Sequence, residues 1–273
     1  NEGVEGAYRF LQRVVSLSEK PKFKKEENLE DKYIKSLTAK TIQSVTEHMD
    51  SFEFSLAIAK IMELTKALTR YKQNTVNKKI YNDSLENLTI LISPFAPHIA
   101  EELYEKLGHK NFVSLVSWPN AKKADIDKDA IAAHDLISNL SINIGNILKL
   151  AKIKKPKRIT IITANDWKYE LTDSLRKHLE QTRNIGEILK LLLKNRQLSS
   201  NLSQIQKLVP KIVKNPKFLC SPIKKETEAN ALTQAKSLLE SEFNTKIEII
   251  HESLSDYDKA SQAMPSRPAI MVE

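Results

Sequence analysis

Apolar residues recur at helical spacing through almost the whole of the first 120 positions. In "NEGVEGAYRFLQRVVSL", Val4, Ala7, Tyr8, Leu11, Val14 and Val15 follow one stripe, which leaves Arg9 and Arg13 together on another face. Two further amphipathic runs predict helices over 28–49 and 53–72. The second of these carries Phe54, Ala57, Ile58, Ile61, Leu64 and Leu68 on its apolar side. A fourth helix is expected over 83–93. Between the first two runs, "EKPKFKKEE" is polar and charged, with Pro21 stopping the first helix. Short connections between such helices favour antiparallel packing.

The stretch "SPFAPHIAEELYEKLG" (93–108) breaks this pattern twice and then resumes it. Pro94 ends the fourth helix, because it lacks an amide hydrogen and disfavours helical geometry just before it. Pro97 suits the first turn of a fifth helix, where the missing donor costs nothing. Ile99, Leu103 and Leu107 form its apolar face, Glu101 and Glu102 a solvated start that favours the dipole, and Gly108 its cap. His98 is expected to be packed or to cap the helix end. "HKNFVSLVSWPNA" then reads as an extended segment that closes the bundle. The two prolines are expected to bend the chain so that the C-terminal domain is launched at a fixed angle.

A helix over 126–152, with Ile131, Leu136, Leu140, Ile144 and Leu148 inward, leads to Pro156, where the pattern changes. "RITIITA" (158–164) is β-branched and alternating, as a strand requires. Helices are predicted at 166–180, 184–195, 202–214 and 225–242, and strands in "KIEIIHES" and "RPAIMVE". The fold class is therefore mixed, an all-α bundle followed by a small α/β or α+β domain with a sheet of roughly three strands. The expected division is a bundle over 1–120, a connecting helix and basic hinge over 121–156, and a C-terminal domain over 157–273.

Composition adds one directional fact. The 273 residues are 41% hydrophobic and 28% charged, as in an ordinary globular protein. No apolar run approaches the roughly 20 residues of a membrane span. The single cysteine, Cys220, excludes an internal disulfide and fits a reducing, cytoplasmic setting. The chain starts on Asn1 with a helix already under way, and is read as a piece of a longer protein. Its net charge of +9, from 43 Lys and Arg against 34 Asp and Glu, favours a polyanionic partner. "LKLAKIKKPKR" (148–158) gathers Lys149, Lys152, Lys154, Lys155, Lys157 and Arg158 where the two domains are expected to meet. A solvated linker and a phosphate grip both fit that run. Lys207, Lys211 and Lys214 have helical spacing for a second stripe, and Arg9 and Arg13 for a third.

Catalytic chemistry is not expected from these residues. Five glycines are too scattered for a phosphate loop. Cys220 has no neighbouring cysteine and the six histidines lie apart, so neither a zinc site nor a cofactor is expected. Trp118 and Trp167 suit domain packing better than base stacking.

"EGAYRFLQRV", "SPFAPHIAEELYEKLG" and "SLVSWP", in that order, resemble the helical domain that follows the catalytic core in class I synthetases for leucine, isoleucine and valine. "ILKLAKIKKPKRITIITANDWKY" and "YDKASQAMPSRPAIMVE" are similar to the C-terminal part of the archaeal and eukaryotic type of leucyl-tRNA synthetase. The resemblance implies a parent leucine–tRNA ligase that uses ATP and Mg²⁺. The catalytic signatures and editing domain of that family are absent here, so this part is expected to hold tRNA rather than make the ester. It implies leucine tRNA and the missing catalytic and editing domains as partners, with no membrane and a monomeric state. Arg9, Arg13, Lys152, Lys154, Lys155, Lys157 and Arg158 would hold phosphates. Arg267, Val272 and Glu273 would meet exposed bases of the long variable arm or elbow. The corresponding part of an isoleucyl or valyl enzyme, and a helical protein-interaction scaffold, are the rival readings.

Overall fold

A computed structural model describes residues 2–216, 219 and 222–273, so Cys220 and Asn1 lie outside the described residues. The chain divides into two compact units, Asn1–Ile131 and Ala132–Glu273.

The first unit is a helical bundle of α1 (Glu2–Ser16), α2 (Leu29–Asp50), α3 (Phe54–Tyr71), α4 (Lys78–Ile92) and α5 (Pro97–Lys106). Its core joins Val14 of α1 and Leu17 just after it to Ile34, Ile42 and Val45 of α2, Ile61, Leu64 and Leu68 of α3, Leu85, Leu88 and Leu91 of α4, and Leu103 of α5. Only the C-terminal half of α1 reaches that core. Val4 and Tyr8, expected on its inward stripe, are 66% and 62% exposed, while Phe10 and Val14 nearer its C-terminal end are buried.

The "EKPKFKKEE" loop hides a strand that periodicity cannot reveal. Phe23–Lys24 (β1) pairs in parallel with Val76–Asn77 (β2), Phe23 opposite Val76 and Lys24 opposite Asn77. Two residues are too few for a period-2 signal. Beneath this pair, Asp31 is fully buried. It accepts from Lys24 Nζ at 2.8 Å, from the Tyr71 hydroxyl and from the Asn28 and Asn77 amides at 2.7 and 3.3 Å. Burial pushes its carboxyl up, but these donors win and hold it below the ordinary carboxylate range. Lys24, Asp31 and Tyr71 thus tie β1, α2 and α3 together.

The double-proline stretch behaves as its chemistry dictates. α4 stops at Ile92, the Phe95 and Ala96 amides both donate to Ile92 O at 2.9 Å, and Pro97 opens α5. Gly108 ends that helix with φ +100°, a conformation few side chains tolerate. Two details differ from expectation. His98 is exposed rather than packed. Glu101 is not simply solvated: its carboxylate accepts from the Val113 and Ser114 amides at 2.8 and 3.3 Å, so α5 caps the 3₁₀ turn Val113–Leu115 and fastens the crossing segment.

The second unit begins within α6 (Lys128–Leu150), so most of the helix expected in the connecting segment packs inside this unit through Ala132, Leu136, Leu140 and Ile144. There follow β3 (Arg158–Thr163), α7 (Asp166–Leu179), α8 (Ile185–Leu192), α9 (Arg196–Ser199), α10 (Leu202–Lys214), α11 (Lys225–Phe243), β4 (Lys246–His251) and β5 (Ala269–Val272). The sheet order is β4-β3-β5, with β3 parallel to β4 and antiparallel to β5. β3 is buried on both faces, as its run of Ile159, Thr160, Ile161 and Ile162 requires. α7 to α10 close a separate apolar cluster around Leu171, Leu175, Ile188, Leu192, Leu198, Ile205 and Val209.

Candidate nucleic-acid interface

The lysine run after α6 is held at both ends. Leu148, Lys149 and Leu150 finish the helix, and Lys152 follows at φ +55°, the left-handed position that glycine usually fills. The Lys152 amide donates to Lys149 O at 3.2 Å and the Ile153 amide to Leu148 O at 3.0 Å, which completes a Schellman cap. Pro156 is buried, and its carbonyl accepts from the Thr245 hydroxyl at 2.9 Å. Lys152, Lys154, Lys155 and Lys157 are all exposed on this short connection, and none has an acidic partner among the described residues. Four cations on a pinned turn are a fixed positive ridge rather than a loose linker.

Arg158 opens β3 and meets the end of the chain. The Glu273 amide donates to Arg158 O at 3.0 Å and the Arg158 amide returns to Glu273 O at 3.4 Å. The Arg158 guanidinium reaches both Glu273 carboxylate oxygens at 2.9 Å and Glu248 at 3.3 Å. The Tyr257 hydroxyl donates to the same Glu273 carboxylate at 2.5 Å. The hydrogen bond from Tyr257 and the charge of Arg158 hold the Glu273 carboxyl below its usual range, and the Arg158 guanidinium is raised in return by Glu273. Arg158 and Glu273 are therefore bound to each other, which leaves the lysines as the unpaired charge of the run.

That pairing also orients β5. In an antiparallel ladder, pairs that exchange both hydrogen bonds alternate with pairs that point away from each other. Arg158 and Glu273 are a bonded pair, so the next pair, Ile159 and Val272, is not. The Val272 amide and carbonyl face the open side of the edge strand, and among the described residues neither has a backbone partner. Arg267 is exposed at the mouth of the turn before β5. Its amide and the Met264 amide donate to each other's carbonyls at 2.8 and 3.0 Å. Arg9 and Arg13 are exposed on α1 in the first unit, with Arg9 Nε donating to Glu5 O at 3.3 Å.

Three groups that hold the tail were not apparent from the sequence. Lys168 is 1% exposed, and its ammonium donates to Glu252 at 2.9 Å and to the Ser261 and Ala263 carbonyls at 2.8 Å. Burial pushes Lys168 down while Glu252 opposes the shift. Glu228, fully buried, accepts from the Ser266 amide at 3.0 Å, and burial pushes its carboxyl up. Together with Tyr257 they fix the path of 257–268 towards β5. The one signal in the sequence was a lysine in the first turn of a helix, where the dipole disfavours it. Trp118 donates to the Thr46 hydroxyl at 2.8 Å, and Trp167 packs on the α7–α10 cluster. Among the described residues, no group of three or more His, Cys, Asp or Glu side chains could hold a metal ion. Among those residues, too, no helix is long and apolar enough to cross a membrane.

Residues 31–163, from α2 into β3, match the anticodon-binding domain of tRNA ligase. The leucine–tRNA ligase of Methanococcus maripaludis (strain S2) is 30% identical over 261 residues, 95% of this chain and 26% of its own length. That of Methanocaldococcus jannaschii is 30% identical over 245 residues, 89% of this chain and 25% of its own. Over almost its whole length the chain is similar to part of archaeal leucyl-tRNA synthetases. It spans about a quarter of the length of the curated synthetases it matches. A solved LeuRS–tRNA–LeuAMS ternary complex from Agrobacterium radiobacter K84 aligns at 25% identity and a TM-score of 0.36, covering 58% of this chain and 17% of that one. The matched segment takes in α2 to α6 and the lysine ridge, while α1 and the edge strand β5 lie outside it.

Proposed function

We propose that this chain is the tRNA-holding part of a leucine–tRNA ligase. It takes leucine tRNA by its body, elbow and long variable arm and presents the 3′ end to a catalytic domain that uses ATP and Mg²⁺, with an editing domain in the same parent chain. The observation that carries this reading is the likeness of 97% of the chain to archaeal leucine–tRNA ligases. The chemistry of the surfaces supports it. Phosphate contacts position an RNA, and unpaired bases specify it. Arg9, Arg13, Lys152, Lys154, Lys155 and Lys157 supply cations for the first task. Arg267 and the outward amide and carbonyl of Val272 supply donors and an acceptor for the second. Arg158 and Glu273 act through each other, fixing the strand that carries Val272. The residues of this chain bind tRNA and take no part in the ligation chemistry, and the protein is expected to act as a cytoplasmic monomer.

The test is a cross-titration of the chain with leucine, isoleucine and valine tRNAs, together with leucine tRNA whose variable arm has been trimmed. Preference for intact leucine tRNA, lost on trimming, is the expected result. Equal affinity for all four would overturn the arm-recognition role and leave a general electrostatic support.

A further inference from the structure

Most of the chain's net positive charge lies in a segment separate in sequence from both the 152–157 ridge and the tail. Residues 181–224 contain nine basic residues and one acidic residue, Glu187, whereas the rest of the chain is nearly neutral with 34 basic and 33 acidic. This segment builds α8 and α10, which pack together through Ile188, Leu192, Ile205, Val209 and Ile212. Lys207, Lys211 and Lys214 are spaced at intervals of four and three, so they share one stripe on α10. Ile205, Val209 and Ile212 hold the opposite stripe in the core. The three lysines are exposed, as are Lys190 and Lys194 on and just after α8 and Arg183 before it. None of these six has an acidic partner among the described residues.

A helix face that serves only solubility can mix signs, and the bundle does so: Lys60 meets Glu63 at 3.0 Å and Lys106 meets Glu102 at 2.7 Å. α10 instead repeats lysine where like charges repel, with no carboxylate between them. The stripe rises about 10 Å from Lys207 to Lys214, the scale of several successive phosphates rather than of one small anion. α8 and α10 themselves carry no aromatic side chain on which an unpaired base could stack.

We infer that the α8–α10 face is a further RNA site, gripping the phosphate backbone of a structured strand without regard to its sequence. The inference rests on the reading that this chain binds tRNA, and it adds a surface built on elements other than the 152–157 ridge and β5. Its ligand is the sugar–phosphate backbone, and its contribution is the release of counterions.

The test uses the full chain with Lys207→Gln, Lys211→Gln and Lys214→Gln combined. Its control, K66Q/K123Q/K236Q, removes the same charge from scattered exposed lysines. Affinity for leucine tRNA is measured from about 50 to about 200 mM salt, and thermal unfolding confirms that all three proteins are folded. The α10 variant is expected to flatten the slope of log K against log salt by about 2 to 3, since each phosphate contact contributes about 0.7–0.9. It should weaken binding of intact and arm-trimmed tRNA by the same factor, on the order of tenfold or more, while the control keeps the wild-type slope. An unchanged slope in the α10 variant, an equal loss in the control, or a loss seen only with the intact arm would each overturn the inference. Failure of the wild-type chain to bind any tRNA would overturn the proposed function as well. Normal wild-type binding with an unaffected α10 variant would remove this site alone.

Discussion

Residues 1–131 carry 20 basic and 19 acidic side chains, and residues 132–273 carry 23 and 15. In the bundle the two signs nearly cancel. Lys60 and Lys106 meet glutamates one helical turn away, Lys72 meets Glu19 at 2.9 Å, and the buried Asp31 is saturated with donors. Such exposed pairs contribute little stability each, and the near-equal totals leave little net charge. In the second unit the tight pairs, Arg158 with Glu273 and Lys168 with Glu252, hold the sheet and the tail. Among the described residues, the lysines of 152–157 and of α10 stay unanswered. In the second unit the positive charge is therefore divided between pairs that hold the fold and lysines that have no acidic partner among the described residues.

The largest effect is expected from removing Asp31. Asp31→Ala strands Lys24, the Tyr71 hydroxyl and the Asn28 amide, and should destabilise the bundle by about 3 kcal/mol, as the loss of one partner of a buried pair does. Urea unfolding reads the loss, and tRNA affinity in the absence of denaturant should stay at the wild-type value. A matching fall in affinity would show that the Asp31 cluster also shapes a tRNA-binding surface. The pH dependence follows from the sign of the shift. Asp31 titrates lower when folded than its ordinary 3.8, so its contribution is complete above that value and disappears as pH falls through the folded value. An acid titration of stability should therefore flatten in Asp31→Asn.

Lys168→Met is the counterpart in the second unit. It leaves Glu252 without its cation and the Ser261 and Ala263 carbonyls without a donor, at a cost of about 2–3 kcal/mol. Because the loss falls in one unit, unfolding should separate into two steps. The preference for an intact variable arm should drop as the tail loosens, measured by the ratio of the two dissociation constants.

Replacing Lys152, Lys154, Lys155 and Lys157 together by Gln should leave stability within about 0.5 kcal/mol, as for most surface substitutions. It should also flatten the salt slope by about 3. The smallest effect is expected from Lys152→Gly. Glycine at the left-handed cap should stabilise the chain by about 0.5–1 kcal/mol, read as a rise in Tm, while the slope falls by about one contact.

The helices and the three-stranded sheet were legible because each is long enough for its period to appear, and because Pro94, Pro97, Pro156 and Gly108 punctuate them where backbone chemistry requires. β1 and β2 were not, since two residues have no period. The apolar spacing of α1 overstated its burial, because a stripe shows which face is apolar and not how far a neighbouring helix extends. Among the candidate contacts, the lysine ridge was visible as a run, but its Schellman cap was not. The mutual capture of Arg158 and Glu273 joins residues 115 positions apart, and it depends on the β3–β5 register, which no local pattern encodes. Lys168 and Glu228 were hidden for the same reason: charged residues read as surface until their partners are known.

The most direct measurement is amide hydrogen exchange of the chain with and without leucine tRNA. Slowed exchange is expected in peptides covering 151–158, α10 and 269–273, with the peptides around Asp31 and β2 unchanged. Protection confined to the bundle, with the second unit unaffected, would contradict that expectation.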